Sequence, residues 1–343
     1  MEEGTLNSSK QELTLESLFP NVSSVLTLQG FNLPPQSVVP AFLFASLNYM
    51  LILFCNLVLL FTILFNKSLH QPMYLLLLNL PINDLIGTTA LFPQVIHELV
   101  LDSRRIPYNA CITQAFFIHI YSANCIFILT AMAYDRYVAI CRPLRYQSIM
   151  THAHVMRIIM LVWLCCFLVI GVLFFLLLRL PRCGSRMPHA YCDNPSLLKL
   201  SCVDTTINNI YGLALVAVTQ VVALGIIFCT YIQILVACFR SKKAETKSKA
   251  LQTCATHLIV FLLLECLGLF TIISYRIPNL SAQTRRFIGV STMIFPPTVN
   301  PIIYGLKTNE IMGFVQKGLN KLLIWSVQAS FLNGLERAIV FMQ

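Results

Sequence analysis

Asp135 and Arg136 are opposite charges that stand next to each other at the end of a long apolar segment. They lie in the run Met-Ala-Tyr-Asp-Arg-Tyr-Val-Ala-Ile-Cys-Arg-Pro-Leu-Arg-Tyr, residues 132–146. An arginine in or beside a membrane span is costly unless it is paired, so this residue indicates a functional site. The interaction that the two side chains offer is an ion pair.

Polar side chains also interrupt three other apolar segments. Asn56 lies in the first segment, Asp84 lies in the second, and Asn300-Pro301-Ile-Ile-Tyr304 ends the last. Because polar groups within a membrane need partners, Asn56, Asp84 and Asn300 could supply them to each other. The alternative is a static contact that only joins the helices. A cation at Asp84 has no support in the sequence.

Three ionisable residues of the apolar segments are candidates for ligand binding. Arg276 could bind a carboxylate through two parallel hydrogen bonds, or it could extend to lipid headgroups. His119 could pair with the same anion or form a hydrogen bond within the bundle. Glu265 could bind a cationic group or a neighbouring helix, and burial alone would favour its protonated form. A ligand that contacts both Glu265 and Arg276 must span about 16 Å along one helix.

The composition is that of a membrane protein. Of the 343 residues, 57% are hydrophobic and 11% are charged, whereas charged residues make up about 25% of soluble domains. Seven stretches are long enough to cross a bilayer. They lie near residues 40–65, 72–98, 108–141, 155–178, 208–239, 250–275 and 287–306. The predicted fold is an all-α membrane protein, a bundle of seven transmembrane helices.

These spans divide the chain into four predicted regions. A tail at residues 1–39 precedes the seven-helix bundle at 40–306, and a short amphipathic helix is predicted at 307–322. Residues 323–343 are apolar, interrupted by polar residues and too short to span, so they could lie on the membrane. The first region lacks the pattern of a secretory signal peptide, so we expect the first helix to act as an uncleaved insertion signal.

The charges of the loops predict the orientation in the membrane. On one side of the membrane, most of the Lys and Arg residues in the loops are not offset by acidic residues. This excess of positive charge favours that side as the cytoplasmic one and places the N-terminus outside. Asn7 and Asn21 lie in sequons of the N-terminal tail and are predicted glycosylation sites. This bias also explains the net charge of +10, so we expect contact with membrane lipid and not with nucleic acid.

Four of the 13 cysteines lie where disulfide bonds are expected. Cys111 begins the third span, and Cys183, Cys192 and Cys202 lie in the loop at 179–207. In an oxidising compartment these four would pair, and the sequence alone allows three connectivities. Cys111 and Arg136 are 25 residues apart, about 37 Å in a helix, so they mark opposite faces of the membrane.

Together these motifs resemble odorant receptors, a family of G-protein-coupled receptors. The resemblance covers about residues 50–322. It rests on the Asp135-Arg136 run, on Pro72-Met-Tyr74, on Ser248-Lys-Ala-Leu-Gln-Thr-Cys254-Ala-Thr-His257 and on Asn300-Pro301-Ile-Ile-Tyr304. The His-Ile-Tyr that follows Phe117 looks like the class I, or fish-like, group, whose ligands are often water-soluble acids.

The resemblance also implies which cysteines pair and which residues switch. Disulfides are expected between Cys111 and Cys192 and between Cys183 and Cys202, where they would pin the loop as a lid across the bundle. His257 is expected to couple the sixth helix to Arg136, although a bond to a backbone carbonyl is an equal alternative. The implied switch comprises Asp135, Arg136, Tyr137, His257, Asn300, Pro301 and Tyr304, with Asn56 and Asp84 as its polar core.

The implied function is that of an odorant receptor in the plasma membrane. A small odorant would bind in the outer half of the bundle, and a stimulatory, olfactory-type G protein would bind at the cytoplasmic end and raise cyclic AMP. No cofactor, metal ion or enzymatic activity is expected. The candidate ligand-binding residues are His119, Ile120, Ser122, Ala123, Tyr211, Glu265, Gly268, Leu269, Ile272 and Arg276.

Other classes of membrane protein fit the sequence less well. A light-sensing opsin would have a lysine at the position of Ile294, and an ordinary amine receptor would have an aspartate at that of Ile118. A transporter would usually show repeated halves, and residues 40–178 and 208–306 show no self-similarity. His97-Glu98 lacks the second histidine of a zinc-protease motif.

Overall fold

The computed structural model describes residues 23–240, 244–277, 279–307, 311–313 and 316–317. Within them, seven helices are long and apolar enough to cross a membrane, as predicted. A bilayer core offers the backbone no hydrogen-bond partners, so these segments must satisfy them internally as helices. The helices are α1 (Pro35–Phe65), α2 (Pro72–Leu101), α3 (Tyr108–Cys141), α4 (His152–Leu178), α5 (Thr206–Arg240), α6 (Ala244–Ser274) and α7 (Ala282–Lys307).

Local signals begin several of these helices. Pro35 and Pro72 stand in the first turns of α1 and α2, where a missing N–H leaves no helical bond unmade. The hydroxyl of Thr151 caps α4 by accepting a hydrogen bond from His154 N at 3.2 Å. The first helix starts at Pro35, five residues before the predicted span, because proline is favoured at the first helical position.

The predicted regions outside the bundle are described only in part. Of the predicted amphipathic helix, residues 307, 311–313 and 316–317 are described, and residues 323–343 lie outside the described residues. The two sequons at Asn7 and Asn21 also lie outside them.

Helix α3 lies in the middle of the bundle. It packs against α2, α4, α5 and α6, while α7 packs against α1, α2 and α6. The outer faces of the peripheral helices carry large apolar side chains, such as Phe54 on α1 and Phe228 on α5, which are 65% and 67% exposed. In water these faces would be unfavourable, and in a bilayer they contact lipid.

A small three-stranded sheet covers the end of the bundle that contains Cys111, which we call the disulfide end. Strand β1 (Val25–Leu28) lies between β2 (Arg105–Pro107) and β3 (Arg186–Met187), antiparallel to β2 and parallel to β3. Leu26 and Leu28 of β1 are buried beneath it. This sheet was not predicted from the sequence. Its pairing brings the N-terminal segment into the lid over the bundle.

A turn at Gly30 leads the chain from the sheet towards α1. Gly30 has a φ of +60°, which favours glycine, and an added Cβ would lie 2.9 Å from Arg104 Nε. The next residue, Phe31, donates its N–H to Glu98 Oε1 at 3.1 Å, and Arg104 donates to Asn32 Oδ1 at 2.8 Å. These contacts fasten the N-terminal segment to the end of α2.

Replacing Gly87 by leucine is expected to destabilise the bundle. A Cβ at Gly87 would lie within 2.9 Å of the Cβ of Tyr121, a fully buried residue of α3, and overpacking of this kind costs about 1–3 kcal/mol. The matched control is Gly225→Leu on α5, where an added Cβ meets nothing within 4 Å. Thermal unfolding of the purified protein in detergent measures both variants. Equal melting temperatures would contradict the close approach of α2 and α3.

Candidate functional site

Two disulfide bonds organise the disulfide end. Cys111 of α3 is joined to Cys192, and Cys183 to Cys202, each with its Cα atoms 5.4 Å apart. These are the pairings that the resemblance implies. The side chain of Gln114 adds a second link, because its Oε1 accepts a hydrogen bond from Cys192 N at 2.8 Å and its Nε2 donates to Ala90 O at 2.9 Å.

Asp193 connects the same loop to the end of α6. Its Oδ1 accepts a hydrogen bond from Ser196 N at 2.8 Å, which caps the short helix Asn194–Leu198. Its Oδ2 accepts a hydrogen bond from the hydroxyl of Tyr275, the residue that follows α6. A movement of α6 at this end must therefore move the loop or break this bond.

His189 lies inside the loop as a buried, neutral aromatic residue. Its ring is 2% exposed, and neither ring nitrogen has a hydrogen-bond partner among the described residues. The ring packs edge-on against Tyr191, with centroids 4.4 Å apart, and is stacked on Tyr275 at 5.9 Å. Burial lowers the pKa of His189 below its ordinary value.

The charges around His189 act in both directions. The carboxylate of Asp193 raises the pKa of His189, whereas Arg286, Arg285 and Lys199 lower it. With burial as the largest cause, the folded protein favours the neutral imidazole.

The predicted ligand residues of α3 divide between two faces. His119 is half-buried, with Nδ1 2.8 Å from Ala115 O and its ring 5.6 Å from that of Phe174. Ser122 and Ala123 are also half-buried, and Ser122 donates to Ile118 O at 3.0 Å. Ile120 is fully buried in the apolar cluster that α3 shares with α4.

The predicted ligand residues of α5 and α6 are also placed in different surroundings. Tyr211 donates its hydroxyl to Val169 O of α4 at 3.0 Å. Gly268 and Ile272 are half-buried, and Leu269 is 38% exposed. Arg276 is exposed just beyond the end of α6.

Glu265 has the most unusual environment of these residues. It is 4% exposed in the middle of α6, and among the described residues neither of its carboxyl oxygens forms a hydrogen bond of ordinary geometry. Its carboxyl approaches the side chain of Gln220 on α5, but no hydrogen bond of ordinary geometry joins the two. Gln220 was not predicted from the sequence.

An apolar groove of about 380 Å³ lies between α3 and α4 near the disulfide end. Phe174, in this lining, also contacts the ring of His119, so the groove borders one predicted ligand residue. The other predicted ligand residues do not line it. The groove is lined by Ile112, Thr113, Phe116, Phe117, Gly171, Phe174, Phe175 and Leu178.

The polar core joins α1, α2 and α7. Asn300 Nδ2 donates to Asp84 Oδ2 at 3.1 Å, and both residues are buried. Asn56 bonds instead to the backbone, with its Nδ2 2.9 Å from Pro297 O. Pro301 has no N–H to serve that carbonyl in the helix, so the asparagine of α1 supplies the missing donor.

This core also contains polar atoms without a partner. Among the described residues, Asp84 Oδ1, Asn300 Oδ1, Asn56 Oδ1 and both side-chain atoms of Asn124 are buried and unbonded. Buried polar groups left in this way favour rearrangement or hydration. The arrangement is therefore not a fully satisfied static contact.

The opposite end of α3, which we call the Asp–Arg end, holds the predicted ion pair. Arg136 Nη2 lies 3.3 Å from Asp135 Oδ2, and Asp135 is fully buried. The hydroxyl of Tyr146 donates to the other carboxylate oxygen, Asp135 Oδ1, at 2.8 Å. Burial and the neighbouring carboxylate both raise the pKa of Tyr146, so it stays a donor. The guanidinium of Arg142 lies 5.7 Å from the ring centroid of Tyr137.

His257 lies between α5 and α7. It is buried, its Nδ1 is 3.2 Å from the hydroxyl of Tyr231, and its ring centroid is 6.3 Å from that of Tyr304. The hydroxyl of Tyr231 also donates to Cys254 O at 3.1 Å. Pro301 and Tyr304 are buried beside it on α7. In this structure His257 contacts Tyr231, and no bond to Arg136 is formed.

Sequence reasoning missed several of these residues. Asp193 carries a local signal, because Asp-Asn-Pro-Ser has the cap and the proline that begin a helix. Tyr146, Tyr231, Gln114 and Gln220 carry none, since each finds its partner on another element.

The comparisons with known proteins agree with this geometry. The family model of the olfactory receptors matches residues 45–321. Human olfactory receptor 52B2 is 36% identical over 258 residues, 75% of this chain and 80% of that protein. Human olfactory receptor 4E1 is 33% identical over 312 residues, 90% and 96%, and mouse olfactory receptor 4E2 is 35% identical over 269 residues, 78% and 85%.

This chain belongs to the olfactory receptor family. As an olfactory receptor it is a multi-pass membrane protein and a G-protein-coupled receptor, not an enzyme. The seven helices and both disulfide bonds fit this membership.

Acid is expected to destabilise the receptor through His189. Since the folded state lowers the pKa of His189, the unfolded chain binds more protons below about pH 6.5, and stability falls as the pH drops through that value. His189→Phe keeps a ring between the two tyrosines and removes the titration, so its melting temperature should fall less between pH 7.5 and 5. Thermal unfolding in detergent measures this, with exposed His97→Gln as control. Parallel pH profiles for wild type and His189→Phe would contradict it.

Proposed function

We propose that this receptor binds a small odorant in the half of the bundle nearest the disulfide end and activates a stimulatory G protein at the Asp–Arg end, which raises cyclic AMP. The observation that carries the proposal is the pair of Asp135 and Arg136, closed at 3.3 Å and held by Tyr146. The other end of the same helix is bonded to the lid through Cys111.

The closed ion pair supports an inactive resting state. An odorant that binds the active conformation better than the resting one shifts the population towards it, and this difference in affinity is the whole signal. Outward movement of α6 would separate His257 from Tyr231 and free Arg136 from Asp135. The unpartnered atoms around Asp84 and Asn300 would find new partners in the same rearrangement.

The orientation that we propose places the disulfide end outside the cell. Disulfide bonds persist in an oxidising compartment, and both bonds of this receptor lie at that end. Strand β1 joins the N-terminal segment to the same end, so Asn7 and Asn21 would face the compartment in which they can be glycosylated. The Asp–Arg end and the C-terminus then face the cytoplasm of a cell with this receptor in its plasma membrane.

The ligand pocket that we propose lies between α3, α5 and α6 under the lid. Glu265 of α6, the most buried of its central members, is 4% exposed. The other central members are half-buried: His119 and Ser122 of α3, and Gly268 and Ile272 of α6. The predicted set also contains Ala123, Leu269, Tyr211, Ile120 and Arg276. Of these, Tyr211 and Ile120 face α4, and Arg276 is exposed.

The test is cyclic AMP in cells that express the full chain with an olfactory-type stimulatory G protein. A panel of small odorants, both neutral and charged, is applied to the wild type and to Arg136→Ala, with surface expression measured for each. A concentration-dependent rise that Arg136→Ala abolishes is expected. A surface-expressed receptor that stays silent to the whole panel, or signals equally well without Arg136, would argue against the proposal.

Removing the hydroxyl of Tyr146 is expected to raise basal signalling. Tyr146→Phe deletes the hydrogen bond to Asp135. Because bonds to charged groups contribute about 1.5–3 kcal/mol, the equilibrium should shift away from the resting state by about 10-fold or more, and basal cyclic AMP should rise at least about 2-fold. Tyr134→Phe on α3 is the matched control. Basal cyclic AMP is compared at equal surface expression, and an unchanged level in Tyr146→Phe would show that the bond does not hold the switch.

A further inference from the structure

Glu265 and Gln220 bring three buried oxygens together inside the bundle, and the side-chain amide of Gln220 is the one donor group that ionised Glu265 and Gln220 themselves supply. Both oxygens of Glu265 and Oε1 of Gln220 are buried and unbonded among the described residues. Glu265 itself is 4% exposed. Buried polar groups are nearly always hydrogen-bonded. The amide of Gln220 leaves these three oxygens without bonds of ordinary geometry, so a further donor from outside the chain would complete the site.

The pair lies inside the bundle below the disulfide end, at the depth of the proposed ligand pocket. Glu265 is nine residues before Ser274, the end of α6, which is about 14 Å below the disulfide end by helical rise. Cys125 of α3, also buried, lies close enough to Glu265 for the two to interact electrostatically. The site therefore lies where α3, α5 and α6 meet, beneath the lid.

The chemistry of the acceptors selects the ligand group. A hydroxyl has one donor and a carboxylate has none, whereas a primary ammonium has three N–H donors and a positive charge. Among the described residues the one ion pair is that of Asp135 and Arg136, so no described cation neutralises Glu265. Burial alone favours protonated Glu265, and a bound ammonium would hold the carboxyl in its ionised form. A carboxylate ligand would find no positive charge at this site.

We propose that Glu265 and Gln220 bind the ammonium group of a small primary amine, and that this receptor is an amine-sensing member of its family. This inference rests on the proposed function, because it names the ligand class of the same pocket. It departs from the acids that class I resemblance implies. Arg276, the candidate for a carboxylate, is exposed beyond the end of α6 and far from Glu265.

Binding at Glu265 also has a direct route to the switch. Glu265 and His257 lie on the same helix eight residues apart, about 12 Å by helical rise. A cation that draws Glu265 and Gln220 together changes the packing of α6 against α5. The contact of His257 with Tyr231 lies on the same pair of helices.

The experiment compares three series of straight-chain ligands that differ only in the end group: primary amines, alcohols and carboxylic acids. Cyclic AMP is measured for the wild type, for Glu265→Gln and for the matched control Glu98→Gln. The control removes a different buried carboxyl, which lies on α2 near the lid. Amines should activate the wild type, and Glu265→Gln should lower amine potency at least about 10-fold. Glu98→Gln should leave amine potency within about 3-fold of wild type.

A second variant keeps the test decisive if Glu265→Gln does not reach the cell surface. Gln220→Leu removes the amide, with its acceptor oxygen and its N–H donors, without changing the charge, and it should reduce amine potency by less than Glu265→Gln does. Amine potency that is unchanged in a surface-expressed Gln220→Leu or Glu265→Gln would overturn the inference and indicate a static contact between α5 and α6.

The outcomes separate this inference from the proposed function. Activation by alcohols or acids with inactive amines overturns the amine assignment and leaves the proposed function standing. Silence of the surface-expressed wild type to all three series counts against both. Activation by amines that Arg136→Ala abolishes and Glu265→Gln weakens supports both.

Discussion

The bilayer sets the constraint on which this structure depends, because its interior offers no hydrogen-bond partner to any polar group. A polar side chain in the interior of the seven helices therefore depends on a partner within the bundle. Asn56 shows how directly this works. Pro301 deprives the carbonyl of Pro297 of its helical donor, and Asn56 supplies one from α1 at 2.9 Å. One asparagine thus joins two helices and satisfies a backbone group that a proline left open.

Helix α3 connects the two ends of the molecule under the same constraint. At one end Cys111 is bonded to the lid, and at the other Asp135 holds Arg136 and accepts from Tyr146. The lid and the ion pair are therefore joined through one continuous helix. The lid itself includes the N-terminal strand, whose two buried leucines pack beneath the sheet.

Polar groups that the constraint leaves unsatisfied are informative for the same reason. Asp84 and Asn300 keep one bond between them and leave two oxygens without a partner among the described residues, which agrees with the rearrangement that we propose for this core. Glu265 and Gln220 leave three acceptors free deeper in the α6 contact. In the membrane interior such atoms raise the free energy of the empty state and favour whatever supplies the missing donors.

The sequence by itself determined that the chain forms seven membrane-length helices, because the length and hydropathy of a span depend only on contiguous residues. The ion pair of Asp135 and Arg136 was also predictable, since the two residues are adjacent. Only the tertiary structure decided the rotation of each helix: Ile120 and Tyr211 face α4, and His257 meets Tyr231. It also decided the pairing of Val25–Leu28 with two distant segments and of Glu265 with Gln220. A sequence fixes which groups need a partner, but the partner is chosen by packing between segments that are far apart in the chain.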